Sequence, residues 1–130
     1  MTLEGFLKQN ATLPQNEKSV ISERFCENGE AILWEYRAIS SAEDETLRAL
    51  SYKPDGELDT DKYMGLLASY CTVFPDLESV TLQDSYSVMG ADNLLKAMLT
   101  PGEYTAYLEK IGKLNGFNDA FSDKVSTAKN

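Results

Sequence analysis

The side chains that most often do chemistry are missing from this chain or set at unhelpful spacings. Among its 130 residues there is no histidine, which removes the commonest general base and the commonest transition-metal ligand together. A Ser-His-Asp or Cys-His arrangement is therefore impossible within the chain. Gly112-Lys113 resembles the end of a phosphate-binding loop, but Tyr107 stands where that loop needs its first glycine. Asp55, Asp59 and Asp61 lack the spacing and the glycine of an EF-hand and read as a solvated acidic loop. Glu43 and Asp44, at a helix start, read as partners of the helix dipole rather than as an acid–base pair. Cys26 and Cys71 have no CxxC spacing, so both read as buried thiols and not as a disulfide or metal pair. Tyr63, Tyr70, Tyr86, Tyr104 and Tyr107 read as core residues with their hydroxyls at the rim rather than as a ligand groove. Lys96 and Lys110 read as solvated faces. No catalytic, metal-binding or cofactor-binding residue is assigned, and no cofactor is expected.

Composition narrows the partners. Twenty-one acidic against twelve basic residues give a formal charge of −9, which disfavours nucleic acid, because phosphate contacts need a positive surface. The 42% hydrophobic and 25% charged fractions suit a soluble globular chain, and its length suits one domain with a real core. No apolar run approaches the roughly 20 residues that span a bilayer. Glu4 interrupts the N-terminus where a signal peptide would be apolar. These features point to the cytoplasm of the cell that makes the protein, with no membrane partner.

The elements follow from periodicity. Tyr63, Leu66, Leu67, Tyr70, Cys71 and Phe74 recur at helical spacing, as do Tyr104, Tyr107, Leu108, Ile111 and Leu114, with a shorter stripe at Leu94, Leu95, Met98 and Leu99. Stripes this wide must be covered by other elements. Thr60 is placed as the cap of a helix over Asp61–Phe74, and a second helix over Ser79–Met89, carrying Leu82, Tyr86 and Met89. Thr100-Pro101-Gly102-Glu103 is a strong start for a last helix that runs to about Asn115 and is ended by Gly116. Ser40 with Glu43 has capping-box spacing, and Leu47 and Leu50 supply the buried side of the helix that follows. Asn28-Gly29 predicts a two-residue hairpin turn. In that register Phe25 faces Ile32, Glu23 faces Trp34 and Ile21 faces Tyr36, which leaves two open edges for strands of a neighbouring copy. The expected fold is mainly α within the α+β class, a compact bundle of about four to six helices with one N-terminal β-hairpin packed on it. The single domain divides into an arm (1–19), the hairpin (20–39), a helical core (40–117) and a tail (118–130). Residues 2–9 form a short helix in this reading, either a flap over the core or an arm reaching another subunit.

Several stretches together resemble the XkdN-like phage tail assembly chaperones. They are NGEAILWEYRAIS with the acidic helix start SAEDETLR, then KYMGLLASYCTVFPDL, LQDSYSVMGADNLLKAMLTPGEY and KLNGF, in order between Phe25 and Phe117. LQDSYSVMGA followed by MLTPGEY is the specific part. The resemblance implies a non-enzymatic protein of the host cytoplasm, absent from the finished virion, that binds the long tape-measure protein and helps tail-tube subunits assemble around it. It also implies a homo-oligomer and a frameshifted longer form of the chain as further partners. Ala128-Lys129-Asn130 is compatible with the slippery codons GCA-AAA-AAC. The surface assigned to partner binding is Leu3, Phe6 and Leu7 at one end with Phe117 and Phe121 at the other. The alternative is a structural tail or connector component retained in the particle.

Overall fold

The computed structural model describes residues 2–117. Within them lie five α-helices and a small sheet, a mixed α+β architecture. Strand β1 (Glu17–Val20) pairs antiparallel with β4 (Leu33–Tyr36), which pairs antiparallel with β5 (Thr72–Phe74). A separate short ladder joins β2 (Cys26–Glu27) to β3 (Glu30–Ala31). Asn28 and Gly29 between them have φ of 53° and 82°, the positive pair that a tight hairpin turn requires.

The turn is as read from the sequence, but the ribbon beyond it is not. Phe25 still meets Ile32, whose N–H donates to the Phe25 carbonyl at 2.8 Å. From there Ile21, Ser22, Glu23 and Arg24 leave the ladder, so Trp34 pairs with Ser19 and Tyr36 with Glu17, not with Glu23 and Ile21. Strand pairing therefore begins at Glu17, inside the segment read as arm. Ile21 and Phe25 remain packed against the core, and Arg24 points away to reach the Met98 carbonyl and the Glu103 carboxylate. The looped-out residues thus satisfy burial and hydrogen bonding at once. A continuous ribbon would leave the Met98 carbonyl without this donor.

Helix α1 (Ser41–Ala49) opens with the full Ser40–Glu43 capping box. Leu47 is buried, but Leu50 is the C-cap and stands in solvent, contrary to its expected inward place. Helix α2 (Thr60–Cys71) is the centre of the domain, with α1, α4 and α5 packed against it. Its cap is Asp59, which accepts the Lys62 N–H, rather than Thr60. The helix stops at Cys71, three residues short of its expected end, because Thr72, Val73 and Phe74 become β5. Those β-branched and aromatic residues gain a ladder on β4 just before Pro75, which cannot donate to one.

Helix α3 (Val80–Ser85) is shorter than the expected Ser79–Met89. Gln83 ties the exit loop, donating to the Leu77 carbonyl and accepting the Gly90 N–H, and Met89 ends up outside. Helix α4 (Ala91–Met98) buries Leu94, Leu95 and Met98. Helix α5 (Pro101–Leu114) has the expected Thr100–Glu103 capping box and buries Tyr107, Leu108 and Ile111. Trp34 and Tyr36, from the inner face of the sheet, meet Tyr107 edge-on at 5.4 and 5.5 Å. Asn115 closes the bundle: its carbonyl oxygen accepts the Ile39 N–H while its amide donates to Ile111.

The Arg24–Glu103 contact adds a pH-dependent latch between the sheet and α5. The Arg24 guanidinium, helped by Ser22 and the Thr100 N–H, lowers the Glu103 carboxyl to about 2 from its ordinary 4.5. A carboxyl lowered on folding contributes stability above its unfolded pKa, and that contribution is lost as pH falls through the folded one. Arg24→Gln should therefore lower the melting temperature at neutral pH. The gap to wild type should shrink as pH falls from about 4.5 towards 2. Melting curves of both proteins across that range test this, and a gap independent of pH would remove the latch.

Candidate partner-binding surface

The titratable side chains inside the bundle are locked rather than poised. Burial pushes the Cys71 thiol up to about 11 and the Tyr104 phenol up to about 12. Burial also raises Tyr63 and Tyr107, and each has a defined partner: Tyr63 donates to Asp44, and Tyr107 shares a 2.7 Å hydrogen bond with Thr72. Such groups stay protonated at neutral pH; Tyr63 and Tyr107 tie elements together, whereas the buried Tyr104 hydroxyl has no hydrogen-bond partner among the described residues. Tyr70 departs from the expected core position. It lies half in solvent, donates to Glu43 and lies under the Arg37 guanidinium at 4.6 Å. Glu43 itself is held below its usual range first by the Ser40 backbone N–H and then by Tyr70. It therefore serves as a cap, as read from the sequence. Cys26 is exposed, contrary to expectation, because the two-residue β2–β3 ladder stands off the main sheet.

Asp55 and Asp59 have local duties in the acidic loop. Asp55 accepts the Glu57 N–H, and Asp59 caps α2. Among the described residues no group of three or more His, Cys, Asp or Glu side chains is placed to hold a metal. No described helix is long and apolar enough to cross a membrane.

What remains is surface. The N-terminal arm is a 3-10 turn over Leu3–Phe6 rather than a longer helix. Leu3 and Phe6 are 74% and 77% exposed, and Leu7 is also exposed, so the arm is not a flap over its own core. Its shape is nevertheless fixed: Asn10 and Ala11 donate backbone N–H groups to Leu7, and the Asn10 side chain donates to the Glu4 carbonyl at 2.8 Å. Phe117 lies elsewhere and differently. It is half-buried against the core, with its N–H on the Gly112 carbonyl. Phe121 lies outside the described residues. The assigned surface is thus split into a free arm and a packed Phe117.

A second apolar face was missed. Val20 and Leu33 are cross-strand partners, and Phe74 sits across from Glu35. All three point away from the face that carries Trp34 and Tyr36, and all three are exposed. Alternation at Leu33-Trp34-Glu35-Tyr36 held the signal for Leu33. Nothing local places Phe74 across from Glu35, because the apolar period of α2 continues through Phe74.

This is a small α+β protein with two exposed apolar patches, one on the arm and one on the outer face of the sheet. The family model described as phage XkdN-like tail assembly chaperone protein matches residues 3–129, and the chain belongs to that family. It is 29% identical over 137 aligned positions to YqbN of Bacillus subtilis (strain 168), covering 97% of this chain and 92% of that protein. The phage-like element PBSX protein XkdN of the same strain is 32% identical over 75 positions, covering 57% of this chain and 51% of XkdN. The crystal structure of YqbN has the same fold, with a TM-score of 0.82 at 24% identity, over 91% of this chain and 98% of that one.

Proposed function

We propose that this tail assembly chaperone acts by holding the phage tape-measure protein in the host cytoplasm until tail-tube subunits enclose it, without catalysing a reaction. The observation that carries the reading is the arm: a preformed turn that leaves Leu3, Phe6 and Leu7 uncovered on an acidic body. A tape-measure chain is long and helical with apolar stripes, and such stripes need cover until the tube supplies it. A small rigid turn with apolar side chains fits between the ridges of such a helix. Tail-tube protein and a frameshifted longer form of the chain belong to the same reading. The codons for Lys129 and Asn130 test the latter directly.

Co-expression with the tape-measure protein from the same tail module is the test. Wild type should raise the soluble fraction of the client several-fold and co-purify with it. The triple change Leu3→Ser, Phe6→Ser, Leu7→Ser should abolish both while leaving the fold intact, since none of the three belongs to the core. If the triple variant still solubilises the client, the arm is not the contact. A stoichiometric copy number in purified particles would overturn the chaperone reading in favour of a retained tail component.

A further inference from the structure

We propose that the outer face of the sheet is the docking surface for the N-terminal arm of a second copy of this chain, so that two copies exchange arms. Each chain carries one apolar plug, Leu3, Phe6 and Leu7, and one apolar receiving face, Val20, Leu33 and Phe74. Neither covers the other within one copy, although both are exposed. Two copies related by a two-fold axis satisfy both at once, the closed arrangement that isologous pairs favour. The connection between plug and sheet allows the crossing. Residues 11–16 are exposed and belong to neither helix nor strand, and at about 3.3 Å per residue they reach about 20 Å.

Charge permits these two surfaces to meet. With a formal charge of −9 per chain, most approaches of two copies meet repulsion. The arm carries one acid and one base, Glu4 and Lys8. On the receiving face Lys18 and Glu35 are already an ion pair at 3.8 Å, and Asn16 donates to the same Glu35 carboxylate. Both surfaces are locally neutral and can meet without like-charge contact. The internal hydrogen bonds of the arm hold it in shape before it docks, which lowers the ordering entropy lost on binding. This resting partner is independent of the client. The arm's part in client binding rests on the preceding reading, in which the client displaces it from the neighbouring copy.

Light scattering on purified protein, with no client present, tests the exchange. Wild type should run at twice the 14.5 kDa of one chain. A chain lacking residues 2–12 and the variant Leu33→Lys should each run as monomers with unchanged circular dichroism, since Leu33 is half-exposed and the arm is outside the core. Mixing the two should restore a one-to-one complex, because one supplies the face and the other the arm. A dimer that survives loss of residues 2–12 would show face-to-face pairing and overturn the proposal. So would a monomeric wild type, which would leave the face to the client or to residues 118–130. Neither result bears on whether the client is bound, which co-expression reads separately.

Discussion

Trp34→Ala is expected to cost about 3–5 kcal/mol of stability, the range for removing a fully buried aromatic side chain. Trp34 is 1% exposed on the middle strand of the sheet and touches Phe25 on one side and Tyr107 on the other. Trp34 thus joins β4 itself, Phe25 just before β2, and α5. Collapse into the space is opposed because the strand is fixed by ladders on both edges. Leu33→Ala, one residue earlier but on the outer face, should change stability by no more than about 0.5–1 kcal/mol. Urea unfolding followed by far-ultraviolet circular dichroism reads both without using the lost indole. Similar costs for the two variants would mean that the sheet faces are assigned wrongly.

The second large effect lies between α2 and α4. Asp92 is 7% exposed, and its carboxylate is held by the Lys62 ammonium at 3.0 Å. It stands in the first turn of a helix whose cap, Gly90, provides no side-chain acceptor. Lys62→Met leaves that carboxylate buried without its ion-pair partner. Breaking a fully buried pair costs 3–5 kcal/mol, and the 45% exposure of the lysine reduces this to about 2 kcal/mol here. Asp92→Asn removes the charge and should be milder, about 1 kcal/mol. The double variant should then be less destabilised than the two losses added, because the charge left behind by the first change is gone. Strict additivity in a double-mutant cycle would show that the pair is not coupled.

Much of the fold was legible because its signals are local. Capping at Ser40–Glu43 and Thr100–Glu103 needs only four consecutive residues, and both boxes formed with the expected partners. The Asn28-Gly29 turn likewise depends on the φ preferences of two residues. The apolar stripes of α4 and α5 point inward as their period required, and so does that of α2 except at Tyr70 and Phe74, which are exposed. Where the reading failed, the deciding contact was distant in sequence. Cys26 came out exposed because the ladder that holds it broke off from the main sheet after Phe25. Of the exposed apolar side chains, Leu3, Phe6 and Leu7 could be singled out from the sequence. The outer face of the sheet could not, since Phe74 joins β4 only through a strand that periodicity assigned to a helix.

The sequence by itself determined the bundle, the two capping boxes, the tight turn, the absence of imidazole chemistry and membership in the tail assembly chaperone family. Tertiary structure alone decided the strand register, the conversion of Thr72–Phe74 into an edge strand, and which apolar side chains stay outside. The reason is energetic. A helix start is settled within one turn by a few backbone hydrogen bonds. A strand register is chosen by what the far side of the molecule can bury and bond, here Tyr107 against Trp34 and Met98 with Glu103 against Arg24.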